Sequence, residues 1–301
     1  MTGYTIMSII KRIIFKKCLE HERWDERKFR FKFYLRCLIN PVITISYFKG
    51  LCSIDEIDRL LNTRPLLPAK IQRPYLYKGL PIKKRAKAIL DHYYFVQNLL
   101  DPIHKKIFLS PERTILVNFK GKDGSNIEIS CCPCGYDREG ETTLTYSFNG
   151  NDLVRLSFSF IRCKENYIAF IGGLQGPHKG GGGEIIRQAT RSCYGLFPKR
   201  ILYETFVAFI RTCSIKEVYA VSENSHVYRQ LRYLYRKRNK LLASYSEFWE
   251  SIGGVKLGQL YQLPVEISRK KIDCVVSKKR SEYRNRYRIL NYIEDIIKNI
   301  K

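Results

Sequence analysis

Between Arg113 and Ile171 the chain repeats one signal: a short run rich in β-branched and aromatic residues, then a cluster of turn formers. The runs are TILVNF, NIEIS, TLTYSF, LVRLSFSF and YIAFI, broken by GKDG, CPCGYDREGE, FNGND and KEN. This pattern predicts an antiparallel meander of about five strands. Gly-Lys-Asp-Gly and Asn-Gly-Asn-Asp are the strongest hairpin signals, because glycine and asparagine tolerate the positive φ that tight hairpins require.

Helical periodicity lies on both sides of the meander. Residues 53–62 offer Ser53 as an N-cap with acids in the first turn. Pro65, Pro68, Pro74 and Pro81 then mark an extended connector. Residues 82–100 have helical spacing through Ile82, Ala86, Ile89, Tyr93 and Val96. After the meander come GGLQGPHKGGGGE, helices over 184–194 and 199–213, the buried strand KEVYAVS and a helix from Ser225 to Tyr235. SEFWESI reads as a short helix, GGVKLGQLYQLPVEI as one or two strands, and 277–300 as a long helix. Tyr283, Leu290, Ile293, Ile297 and Ile300 form the buried stripe of that helix. The fold class is therefore α+β: an antiparallel meander followed by β-α-β elements, with an N-terminal helical extension and a long C-terminal helix. Residues 1–81 form the extension and connector, and 82–301 the α+β part, read together as one continuous unit.

Charge narrows the partners. The 301 residues carry 54 Lys+Arg against 28 Asp+Glu, a formal net charge of +26, which favours nucleic acid or anionic lipid phosphates. Residues 1–19 alternate Ile9, Ile10, Ile13, Ile14 and Phe15 with Lys11, Arg12, Lys16 and Lys17. That alternation breaks the apolar core of a secretory signal and suits an amphipathic helix, packed on its own domain or lying on an anionic membrane. No apolar run reaches the ~18 residues of a membrane-spanning helix. Ten cysteines without a regular framework suit a reducing compartment. The expected location is cytoplasmic, with peripheral attachment to the inner membrane as the variant. Cys131, Cys132 and Cys134 lack a second ligand pair, so they read as thiols of a hairpin turn and no metal is expected.

Several segments together resemble the VirK/YbjX family of bacterial proteins: RPYL (73–76), LSFSF (156–160), GGLQG (172–176), AVSENSHVYR (220–229), the FW of SEFWESIGG (246–254) and KKRSEYRNRYRIL (278–290). The resemblance implies a virulence and stress-response context, with resistance to antimicrobial peptides, and no established reaction. The order meander, glycine loop, helix, strand, helix, strand also resembles the GNAT acyltransferase superfamily. That resemblance implies that acyl-CoA is bound by the loop after the meander and by the following helix start. The superfamily's phosphate-loop pattern would fall on 178–183, where His178 stands in place of the usual Gln or Arg.

The candidate site residues follow from these readings. Gly176 and Gly180, Gly181, Gly182 and Gly183 would turn backbone N–H groups toward a phosphate. If an acyl group is transferred, Glu141, Glu184 and His226 are candidate bases. By resemblance, Tyr228 is the candidate acid for the leaving thiolate. Arg229, Arg232, Arg236 and Lys240, and separately Arg280, Arg284 and Arg288, are spaced to line helix faces that would grip RNA or anionic lipid phosphates. The alternative to an enzyme is a non-enzymatic basic binder using those arginines.

Overall fold

A computed structural model describes residue 10 and residues 21–177, 182–230 and 245–300. Its centre is one open sheet of eight strands in the order β1-β2-β3-β4-β5-β6-β8-β7. The first five, β1 (Thr114–Lys120), β2 (Asn126–Pro133), β3 (Thr142–Phe148), β4 (Asn151–Cys163) and β5 (Asn166–Gln175), form the predicted antiparallel meander. β6 (Val218–Val221) joins β5 in parallel, and the hairpin of β7 (Val255–Leu257) and β8 (Leu260–Leu263) completes the sheet.

Eleven helices occur among the described residues. Before the sheet come α1 (Glu22–Asp25), α2 (Arg27–Ile39), α3 (Pro41–Cys52), α4 (Ile57–Thr63), α5 (Leu67–Lys70), α6 (Ile82–Gln97) and α7 (Pro102–Leu109). α8 (Gly182–Ser192) and α9 (Pro198–Thr212) cross from β5 to β6, α10 (Tyr245–Ser251) precedes the last hairpin, and α11 (Ser277–Lys298) closes the fold. None of the described helices is long and apolar enough to cross a membrane.

The two faces of the sheet differ, and LSFSF shows why. Alternation sends Leu156, Phe158 and Phe160 to one side and Ser157 and Ser159 to the other. On the aromatic side Phe108 of α7 and Phe206 of α9 pack on Phe158, and His92 of α6 stacks on Phe160. On the other side Ser157 meets Thr143 at 3.0 Å and Ser159 meets Tyr75 at 2.8 Å. α9 is buried almost all round, because α11 covers its outer side.

Several local expectations change. Ser53 ends α3 as its C-cap, since a helix with Pro41 at its start already occupies the preceding residues, and the next helix begins at Ile57. The connector is not wholly extended: Pro68 sits in the first turn of α5, where its missing N–H costs nothing. Cys131 and Cys132 lie inside β2, not in a turn, with Cys131 facing the core. Of the helix expected from Ser225 to Tyr235, the described part is a 3-10 turn at Val227–Arg229 that Gln230 leaves extended, and 231–235 lie outside the described residues. Residues 1–19 lie outside the described residues except for Ile10, which packs against the core.

The N-terminal helices share the core with the sheet. Buried side chains from Trp24 to Ile297 form one cluster. Trp24, 2% exposed, donates its indole N–H to Pro65 O at 2.8 Å and packs on Phe33. We expect Trp24→Ala to cost about 3–5 kcal/mol through cavity formation, lowering the urea midpoint of a single cooperative transition. A separate early transition with the main one unmoved would instead make the N-terminal helices an independent unit.

Candidate functional site

The polar face of the sheet is sealed by the segment joining β2 to β3. Gly140 lies directly on β4: a Cβ there would stand 2.5 Å from Phe158 O and 2.7 Å from its N. Glu141 donates its backbone N–H to Phe158 O at 3.0 Å and to Ser159 Oγ at 3.0 Å. Glycine at this position therefore brings two flanking carboxylates, Glu139 and Glu141, into the interior.

Each carboxylate has its own surroundings. Glu141 accepts from Tyr75 (2.7 Å) and Tyr93 (2.6 Å), and Lys70 Nζ lies 2.7 Å from it. Lys70 also donates to Gly140 O at 3.0 Å. Burial and the Glu141 charge push both phenols well above their ordinary pKa, so they remain donors at any physiological pH. Glu139 lies under β5, where glycine is again required: a Cβ at Gly172 would meet Glu139 O at 2.0 Å, and one at Gly173 would meet Glu139 Oε2 at 2.0 Å. Gln175 donates to Glu139 Oε1 at 2.8 Å. His226 Nε2 stands 3.3 Å from the same oxygen, a close approach without hydrogen-bond alignment. Because His226 Nδ1 accepts from Tyr228 N–H at 3.3 Å, the proton of the neutral ring sits on Nε2, facing the acid. Tyr245 and Tyr228 close over this pair, and burial together with Glu139 raises the pKa of both.

One cavity borders the segment and a second begins just beyond Gln175. The first, polar and of about 570 Å³, is lined by Arg73, Asp137, Cys134, Lys70 and Glu141. Arg73 reaches Asp137 at 2.8 Å, while its buried Nη2 has no hydrogen-bond partner. The second cavity, about 640 Å³, starts at Gly176 and Pro177 and is walled by Ile186, Phe197, Lys199 and Phe248. Burial lowers the Lys199 pKa. Glu141, Gly140, Glu139 and Gln175 thus make a continuous path from a residue lining the first cavity to the neighbour of one lining the second.

The parallel strand pair opens at the same place. β5 and β6 are paired at Ala169, Phe170 and Ile171 with Val218, Tyr219 and Ala220, and no further. At the next residue β5 bulges: Ser157 pairs with Gly173 and Phe158 with Ile171, leaving Gly172 extra. Beyond β6, Trp249 of α10 donates to Val221 O at 2.9 Å and fixes that strand's end.

Of the predicted site residues, His226, Tyr228 and Glu141 fall on this one sealed segment and its neighbours. Gly176 lies at the mouth of the second cavity, and Gly182 and Gly183 open α8; Gly180, Gly181 and His178 lie outside the described residues. Glu184 is exposed and pairs with Arg187 at 3.5 Å, away from the buried groups. Of the first arginine stripe, Arg229 is half-buried in the 3-10 turn, and Arg232, Arg236 and Lys240 lie outside the described residues. In the second, Arg284 and Arg288 are exposed on α11, but Arg280 is turned back onto Val275 O and Asp273 O. Sequence reasoning missed Glu139, Lys70, Tyr75, Tyr93, Gln175 and Tyr245. The available signal was Glu-Gly-Glu in a stretch otherwise read as a turn.

Removing one partner of the Lys70–Glu141 pair leaves a buried charge alone. Both side chains are under a tenth exposed, so Glu141→Gln is expected to cost about 3–5 kcal/mol in urea unfolding, and adding Lys70→Met should recover part of it. Additive losses in the double-mutant cycle would show that the two groups do not interact.

Five of the six segments singled out from sequence converge here, the sixth (278–290) lying on α11: RPYL supplies Tyr75, LSFSF Ser159, GGLQG Gly173 and Gln175, AVSENSHVYR His226, and SEFWESIGG Trp249. Lys78 N–H reaches Ser225 O at 2.7 Å, and Tyr77 forms a bridge with His226, joining the residues just after the first of these segments to the fourth. Comparison with known proteins agrees in extent. The chain is 34% identical over 286 residues to uncharacterized protein YbjX of Escherichia coli K12, covering 92% of this chain and 85% of that one. An uncharacterized protein of Haemophilus influenzae is 33% identical over 135 residues, 45% of this chain and 44% of its own. A Mannheimia haemolytica protein named membrane protein LapB is 24% identical over 180 residues, 60% of this chain and 76% of its own. No solved structure matches. The family described as "Protein of unknown function (DUF535)" matches residues 22–299, and the chain belongs to that family, which includes YbjX and VirK.

Proposed function

We propose that this protein is a GNAT-like acyltransferase that draws its acyl group from a coenzyme A thioester, at the cytoplasmic face of the envelope and in the virulence and stress setting implied by resemblance. One observation carries the reading: the parallel β5–β6 pair ends at Ile171, β5 bulges at Gly172, and the strand continues through glycines toward α8. In the superfamily it resembles, such a divergence is where the thioester lies.

The residues fit that donor. Among the described residues, a Cβ at Gly176 or Gly183 would meet nothing within 4 Å. Backbone N–H groups at the start of an 11-residue helix favour phosphate. Glu184, in the first turn of that helix, is exposed and pairs with Arg187 at 3.5 Å. The cavity beside Gly176 has apolar walls for a pantetheine or acyl chain, with Lys199 at its margin.

The polar cavity on the Glu141 side would take the acceptor. Transfer forms a bond between the acceptor nitrogen or oxygen and the acyl carbon, and breaks the carbon–sulfur bond. The Glu139 carboxylate, which stands 3.3 Å from His226 Nε2, takes the acceptor's proton and returns it to the departing sulfur, with His226 holding the carboxylate in place. Tyr228 is better suited to positioning than to donating, because burial and Glu139 make its phenol a weaker acid than a thiol. Both His226 and Glu139 are fully buried, so substrates must part the Tyr245 and Tyr228 rings to reach them.

Calorimetric titration of acetyl-CoA and a long-chain acyl-CoA tests this. The wild type should bind at least one. Gly176→Val/Gly183→Val, which has room to fold, should lose ~30-fold or more in affinity by blocking close approach to the turn. His226→Gln should retain binding and lose turnover. Absence of binding by a folded wild type removes the enzymatic reading. Polyanion binding through the exposed Arg284 and Arg288 would then stand in front, tested by a flatter salt dependence in Arg284→Gln/Arg288→Gln.

A further inference from the structure

From Arg27 to Ile54 the chain contains no Asp or Glu, while Arg27, Lys28, Arg30, Lys32, Arg36 and Lys49 all fall within it. The same stretch folds into α2 and α3, and it holds half of the exposed large apolar side chains among the described residues. Phe31 is 69% exposed, Leu38 76%, Ile39 66% and Val42 79%, with Leu35 and Ile45 about half exposed. On α2 the spacing of Phe31, Leu35, Leu38 and Ile39 places them on one side, opposite Phe33, which is buried against Trp24. Val42 and Ile45 continue the patch around the Asn40–Pro41 elbow. A groove of about 260 Å³ runs through it, lined by Leu38, Pro41, Ile45 and Phe48 and touched by Ile10.

Exposed apolar side chains gathered at one place, when others on the surface are scattered, mark an interaction face. The charge decides its occupant. A second copy of the same face would set this acid-free basic stretch against itself, and like charges disfavour that pairing. A protein groove filled by a short peptide would not use apolar groups that stand so far out into water. An anionic bilayer satisfies both halves: the apolar tips enter the acyl region, while the long Lys and Arg stems reach back to headgroup phosphates.

We infer that the α2–α3 face docks the protein on the surface of an anionic lipid bilayer, lying in the interface without crossing it. This inference is independent of the acyl-transfer reading, since the exposed apolar residues Phe31, Leu35, Leu38, Ile39, Val42 and Ile45 line neither of the two cavities beside the buried carboxylates.

The experiment is co-sedimentation of the full chain with vesicles of phosphatidylethanolamine and phosphatidylglycerol, and with phosphatidylcholine alone. Wild type should bind the anionic vesicles, bind phosphatidylcholine at least ~10-fold less, and release progressively with salt. Leu38→Asp/Val42→Asp should fall on the order of 100-fold in partitioning, since two apolar contacts are lost and two repelled charges gained. Both positions are more than three-quarters exposed, so the thermal melt of the variant should match wild type. Absence of binding to anionic vesicles overturns the proposal. So does equal binding by the variant, which would assign attraction to basic residues elsewhere. Light scattering that finds a wild-type dimer and a monomeric variant, with neither on vesicles, also overturns it and makes the face a contact between copies.

Discussion

The carboxylate of Glu141 is the group on which the rest of the arrangement depends. It stands in a medium that disfavours charge, and it is held there by Lys70 from α5, Tyr75 from the connector and Tyr93 from α6. Three parts of the N-terminal half are thereby tied to one point on the sheet. A buried ion is retained only when its lone pairs are occupied, so those parts cannot drift independently. Arg85 extends the same logic to the connector, donating to the carbonyls of Ile71, Arg73 and Leu80. Proline-punctuated chain that would otherwise be loose becomes a fixed wall.

That wall explains why the polar chemistry lies on one face only. The aromatic face is closed at Phe158 and Phe160 by α7 and α9, whose side chains interlock with those two rings. The opposite face has serines and threonines where bulky groups would have filled the space, so a carboxylate-bearing segment can lie flat against it. Glycine at 140, 172 and 173 makes the contact possible from both sides. Sheet alternation, not a separate domain, creates the two environments.

The sequence made the alternation easy to read. Short runs such as LSFSF and YIAFI, with strong turn formers between them, placed the five-strand meander and, after it, β6 and the long last helix. Where the reading failed, two local rules competed. Ser53 is an acceptable N-cap by residue type, but Asn40 followed by Pro41 was the better start signal, and the helix begun there ends at Ser53. The stretch from Cys134 to Glu141 has turn composition and does turn, yet its last three residues, Glu139, Gly140 and Glu141, are buried because the two carboxylates find partners more than 30 residues away. Such partners have no local signature: Tyr75 and Tyr93 look like core aromatics until the carboxylate they serve is in place. His226 and Glu141 were recognisable by chemical type, whereas Glu139 became visible only when the β5 glycines were seen to make space for it.

The bridge between Tyr77 and His226, and the hydrogen bond from Lys78 to Ser225, have a consequence for synthesis. Residues of the connector leave the ribosome long before the partners that lock them, since the meander, the two crossover helices and β6 must all be made in between. Until Ser225 and His226 emerge, the arm carrying Lys70 and Tyr75 can reach Glu141 but cannot be closed from the far side. The last tie in the wall is therefore made late. A nascent chain interrupted before Ser225 would expose a half-covered polar face, with its carboxylates still open to water.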